Sequence, residues 1–291
     1  MGLSVLFGRS IDSSQSFESE IKKRLHLLLG MAVVMHAAGL FAVVFGHHQS
    51  SFGGYLFLVI GMPHAQAFFI EKITVSLFLL MTLAGVLRPR TYLLIPVMAY
   101  VLFEAYAGYY QGGYRFSDWT LATHALRYLT PLALLVLFFP AEQTVIKPRW
   151  LRTSAWLLRL GLVFVFFSHG LESFWGNPQF IDFLIGTSWN LFNVRIPEAM
   201  VTQILKVIGL VDIAVAAALL IRPWRAVLWW MAFWGLLTAF SRITTLGWGA
   251  YYEVLLRASH VLVPLAFLEI NKYWHAHSEN KGKEIPTPNG S

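Results

Sequence analysis

The sequence predicts an all-α polytopic membrane protein, and three observations carry the prediction. The chain is 57% hydrophobic and only 13% charged, against about 25% charged in soluble domains. It contains eight apolar stretches near the roughly 20 residues that a spanning helix needs: residues 25–46, 66–87, 91–110, 120–139, 155–175, 201–221, 224–245 and 253–271. It also repeats itself. A shift of 133 residues, the separation of His36 from His169, lays Leu157 to Gly176 (LLRLGLVFVFFSHGLESFWG) on the His26 to Val43 region and Phe174 on Phe41. With one residue more, a shift of 134, Ile70 to Arg90 falls on Ile204 to Trp224, with Arg88-Pro89 on Arg222-Pro223; at 133 again, His124 to Leu135 falls on Arg257 to Leu268, with Pro131 on Pro264. The expected architecture is therefore two tandem four-helix bundles of parallel topology, related by an axis along the membrane normal.

The elements follow in order. Residues 1–24 form a polar N-terminal segment, expected as a short surface helix closed by Lys22-Lys23-Arg24. Residues 25–139 form the first repeat. Its first outer segment carries His47, His48 and His64, whose spacing suits a solvated loop better than a metal site. Helices two and three carry Glu71-Lys72 and Glu104, and the fourth helix opens with His124 and Arg127 on one face. Residues 140–154 are the linker, residues 155–271 the second repeat, and residues 272–291 a tail expected to be disordered. Gly176 to Met200 reads as amphipathic helix capping the second bundle, a candidate lid.

The net charge of +7 marks an orientation rather than a nucleic-acid partner. Lys and Arg collect in the N-terminal segment, at Arg88 and Arg90, at Lys147, Arg149 and Arg152, at Arg222 and Arg225, and in the tail, while the opposite loops hold little beyond Arg115 and Arg195. By the positive-inside rule both termini are cytoplasmic, in a bacterial or archaeal inner membrane, and the lipid bilayer is the first partner. With no cysteine in the chain, thiolate metal sites and iron–sulfur clusters are excluded, and any redox chemistry uses a bound cofactor.

Polar groups inside these helices are the candidates for function, since a charge at a helix centre costs roughly 2.5–3.5 kcal/mol on insertion scales. Arg159, His169 and Glu172 lie within one apolar run, Asp212 within the next, and Arg257 and His260 within the last; His36, His124 and Arg127 are the first-repeat candidates. His169, Arg159 and Asp212 are expected as the reactive set, with His36, His124, Arg127, Glu172, Arg257 and His260 holding a cofactor, and the second-repeat members converging in one bundle. A neutral imidazole can hydrogen-bond a quinone carbonyl and exchange its proton, with Asp212 or Glu172 as relay. Two histidines on different helices could instead ligate haem b. Structural histidines and ion pairs are an equally open reading, as is a transporter or a scaffold that anchors a partner.

The second repeat resembles the DoxX/DoxD-like membrane family. The residues concerned are Arg159, then Ser168-His169-Gly170-Leu171, the Val194-Arg195-Ile196-Pro197 segment, and Gly209-Leu210-Val211-Asp212 followed by an apolar run to Arg222. The resemblance implies a four-helix unit and a membrane component of a quinone-linked redox system, of which the thiosulfate:quinone oxidoreductase subunit is one example; a redox partner subunit would follow. The first repeat departs from the pattern: His26 stands at the Arg159 position, Ala37-Ala38 replace Gly170-Leu171, and Phe78 replaces Asp212.

Overall fold

The structure is a computed structural model. It describes residues 3–87, 90–112, 116–139 and 147–283, with the side chains of residues 16–278 among them. Arg88 with Pro89, Arg115, the linker stretch 140–146 and the tail 284–291 lie outside the described residues, as do the side chains of the N-terminal segment before Ser16.

The described chain is helical, with no strand among the described residues. In order, the helices are α1 Leu3–Phe45, α2 Ser51–Gly54, α3 His64–Leu87, α4 Leu94–Gln111, α5 Thr120–Thr123, α6 Ala125–Phe138, α7 Pro148–Phe174, α8 Pro178–Phe192, α9 Glu198–Ile221, α10 Arg225–Leu246, α11 Tyr251–Leu256 and α12 Ala258–Lys283. Seven helices are long and apolar enough to cross a membrane, running from Ser16–Phe45 to Arg225–Leu246. The outward faces suit lipid, with Leu77, Leu80, Val207, Leu210, Phe233 and Leu237 all exposed.

Three boundaries differ from the sequence expectation. The N-terminal segment is continuous with the first spanning helix, so α1 is one helix rather than a surface helix and a span. Helix α7 starts at Pro148, inside the expected linker, because proline at the first helical position carries no N–H to leave unsatisfied. The tail expected to be disordered is helical as far as Lys283. That extension is anchored on α1: His277 pairs with Glu18 at 2.9 Å, and the Tyr273 and His277 rings stack with centroids 3.9 Å apart. The expected span 253–271 is interrupted at Arg257, and Glu269, Asn271 and Lys272 end the apolar run of α12 early, which is why it falls outside the seven.

The two halves of the chain use parallel helix contacts. Helix α1 packs on α3 as α7 packs on α9, and α4 packs on α6 as α10 packs on α12. The fourth helix of each copy, however, lies along the first helix of the other: α11 and α12 against α1, α5 and α6 against α7. One apolar core runs through both copies, from Leu25 and Leu29 through Leu126 and Leu134 to Leu158, Leu162 and Phe267. Both described chain ends meet at one end of the bundle, called here the base, where Arg24 approaches Glu269 at 3.8 Å. The connections 46–63 and 175–197 lie at the opposite end, the crown.

The fourth helices are broken at the same repeat position. His124 interrupts the first at φ −99°, ψ 0° and Arg257 the second at φ −105°, ψ 6°. After each break the chain resumes with the same hydrogen bond, from Arg127 N–H to His124 O and from His260 N–H to Arg257 O, each 2.9 Å.

Candidate functional site

The two breaks bring polar side chains to the seam between the copies. Helix α1 contributes His36, which is 4% exposed. Its Nδ1–H points at the Leu256 carbonyl at 3.4 Å, across the seam, and its Nε2 is buried with no hydrogen-bond partner. With Nδ1 protonated, Nε2 is the acceptor of the neutral ring. His36 lines a cavity of about 240 Å³ toward the crown, whose polar wall includes Glu104, His124, Arg127, Tyr252 and Glu253 and whose apolar wall includes Leu40, Val43, Val101 and Leu256. This wall draws on both copies, since Glu253 and Leu256 belong to α11.

Three of the polar wall residues, His124, Glu253 and Glu104, are held in place by named partners. His124 directs Nδ1–H to the Thr120 carbonyl at 2.7 Å, which holds the ring at the helix break. Arg257 donates to the Glu253 carboxylate and to its carbonyl, so Glu253 is held by an i,i+4 partner. Glu104 accepts from the Ser51 and Phe52 N–H groups at 3.0 and 2.5 Å, and Glu71 accepts from Ser50 N–H at 2.8 Å. These two membrane-helix carboxylates therefore fasten the 50–54 turn beneath the crown, and their first task is structural.

Beside this cavity lies a second polar group. His169 Nδ1 is 3.0 Å from Glu172 Oε2, one turn apart on α7. The His169 ring meets His260 edge-on with centroids 6.2 Å apart, and Phe180 of the capping helix α8 packs against it at 5.7 Å. His260 Nε2, like His36 Nε2, is buried without a partner. Arg127 lies within electrostatic reach of His36, His124 and His260, and His124 of both His36 and His169. Arg242 of α10 joins them: it donates to the Thr238 carbonyl and covers the Phe183 ring at 4.6 Å.

Two members of the expected second-repeat set have partners of their own. Arg159 is ten residues below His169, about 15 Å along the helix, where it donates to the Leu219 and Leu220 carbonyls at 2.8 Å each. Its long side chain turns to the base, where those last carbonyls of α9 carry negative partial charge. Asp212 faces α10, where the Trp234 side chain hydrogen-bonds it, and its Oδ1 is buried without a partner. Arg159 thus stands apart from His169, toward the base. Sequence reasoning did not place Tyr252, Glu253 and Glu104 with His36. The i,i+4 spacing of Glu253 and Arg257 was the one local signal, and the cross-packing of α11 on α1 leaves none.

Comparison of the chain with family models, with curated proteins and with solved structures finds no match in any of the three.

Proposed function

We propose that this protein is a membrane-embedded component of a quinone-linked redox system, with a quinone ring seated in the seam cavity. The observation that carries the reading is His36: a buried imidazole in a membrane helix that lines a cavity of about 240 Å³ and whose Nε2 has no protein partner. A buried acceptor without a partner costs roughly 1–3 kcal/mol, so a ligand that donates there recovers it. Leu40, Val43, Val101 and Leu256 suit the faces of a flat ring, and Arg127 suits a ring carbonyl oxygen. When bound, a quinone supplies two-electron, two-proton chemistry. In the chain, His36 Nε2 accepts a proton from a ring hydroxyl, and Glu253, kept in place by Arg257, is the acidic group on the crown side of the same wall. The His169–Glu172 pair supplies a second proton-holding unit across His124. The resemblance of the second repeat to the DoxX/DoxD-like family supports the same class, and a redox partner would deliver the electrons.

The residues do not favour haem. The closest pair, His169 and His260, packs with Phe180 at its side, so a macrocycle plane between the rings would displace packed side chains, and no step is assigned to it. The breaks at His124 and Arg257 favour a second reading, a transporter for a small polar molecule, because discontinuous helices at a repeat interface build such sites.

In the same reading the chain crosses the membrane eight times, α11 and α12 together making the last crossing alongside α1. The base is cytoplasmic, since Lys22, Lys23, Arg24, Lys147, Arg149, Arg152, Arg222, Arg225 and Lys272 lie there. The visible spectrum of the purified protein, oxidised and reduced, followed by solvent extraction, tests the class: extracted quinone without a haem band supports it, and a haem band overturns it.

A further inference from the structure

A second cavity, of about 250 Å³, opens at the base, away from the seam. Arg152, Ala155, Trp156 and Arg159 stand at i, i+3, i+4 and i+7 of α7 and so form one stripe. Ala155 leaves the hollow. Trp156, 47% exposed, forms the outer wall; Trp274 of α12 stands opposite, and Asn271 closes the floor by donating to the Pro223 carbonyl at 2.8 Å. No lining residue is acidic.

The arginines are positioned rather than adrift. Arg159 spends Nε and Nη2 on the Leu219 and Leu220 carbonyls and lies 4.7 Å from the Trp156 ring, which fixes its plane and leaves Nη1 for another acceptor. Arg152 stands 5.9 Å from the Trp274 ring, two turns nearer the surface. The cradle is confined to the second repeat. The corresponding first-repeat positions are Ser19, Lys22, Lys23 and His26, and His26 packs edge-on against Phe138 at 5.0 Å.

We propose that this cavity binds the phosphate of an anionic phospholipid headgroup, with the acyl chains lying along exposed Trp156 and Leu160. Guanidinium groups pair with phosphate oxygens, indole rings hold the interfacial depth, and basic pockets between membrane helices suit anionic headgroups. The chemistry is that of a phosphate anion, and the same groups would take free phosphate, so the test separates the two sources.

The full-length protein, purified in neutral detergent and stripped of lipid, is titrated with phosphatidylglycerol, phosphatidylcholine or inorganic phosphate, and binding is read by native mass spectrometry. Phosphatidylglycerol is expected to bind tighter than phosphatidylcholine. Arg152→Gln is expected to weaken it about fivefold and the Arg152→Gln/Arg159→Gln pair at least tenfold. Arg159 also holds the end of α9, so Arg152→Gln and Trp274→Leu serve as variants that leave those hydrogen bonds intact. Equal affinity for the two lipids, or unchanged phosphatidylglycerol affinity in Arg152→Gln, overturns the proposal. Displacement of the lipid by inorganic phosphate at equal concentration assigns the cradle to the free ion and overturns the lipid.

Discussion

Gly170 and Gly209 bring the backbones of α7 and α9 into contact: a Cβ added at Gly209 would stand 2.4 Å from the Gly170 carbonyl oxygen and 2.7 Å from the Phe174 nitrogen. Neither neighbour is a flexible side chain that can move aside. This crossing lies beside His169 and one turn from Asp212, so it sets the positions of both. Gly209→Ala is expected to cost about 1–3 kcal/mol through overpacking, seen as a lower Tm in detergent. Gly249→Ala, where nothing lies within 4 Å of the added carbon, is expected to unfold with the parent. Equal Tm values for all three proteins would contradict the contact.

The 50–54 turn hangs on two carboxylates. Glu104→Ala removes acceptors for the Ser51 and Phe52 N–H groups, each worth roughly 1.5–3 kcal/mol when the acceptor is charged. Hydrogen exchange across residues 50–54 is expected to accelerate in Glu104→Ala and less in Glu104→Gln, which keeps one carbonyl acceptor. Unchanged exchange in Glu104→Ala would show that the turn does not depend on it.

Glu253 and Arg257 form a partly buried ion pair on α11 and the break that follows it. Removing either partner leaves the other poorly solvated, so the single losses exceed the value of the pair itself. A double-mutant cycle with Glu253→Gln and Arg257→Gln is expected to give a coupling of about 1–2 kcal/mol by thermal unfolding. A coupling near zero would mean that the two side chains do not hold each other.

The sequence made the membrane class and most helices legible because apolar length is a strong local signal: residues 66–87 and 91–110 lie within two residues of α3 and of the helix opened by the Thr91–Leu93 turn and continued by α4. The breaks were less legible. His124 and Arg257 are not helix breakers, and the prolines that follow, Pro131 and Pro264, lie seven residues on. The candidate site was half legible. His36, His124 and Arg127 drew attention as polar residues in apolar runs, and the cavity gathers them. Arg159 has the same sequence signature as His169, yet its side chain reaches the last carbonyls of α9 at the base, because a long flexible cation can turn toward the interface while an imidazole cannot. That Glu253 faces His36 depends on α11 crossing to α1, a long-range packing choice with no local periodicity to announce it.

The central claim rests on His36 Nε2 as the acceptor for a ring hydroxyl in the seam cavity. The most direct measurement is binding of a short-chain quinol to the purified parent and to His36→Leu, with Tm recorded for both. Leucine fills a similar volume without the acceptor, so the account predicts a folded variant with quinol affinity at least about tenfold weaker, the loss of roughly one hydrogen bond to a buried group. A folded His36→Leu protein that binds quinol as tightly as the parent, or a parent that binds none, would contradict it.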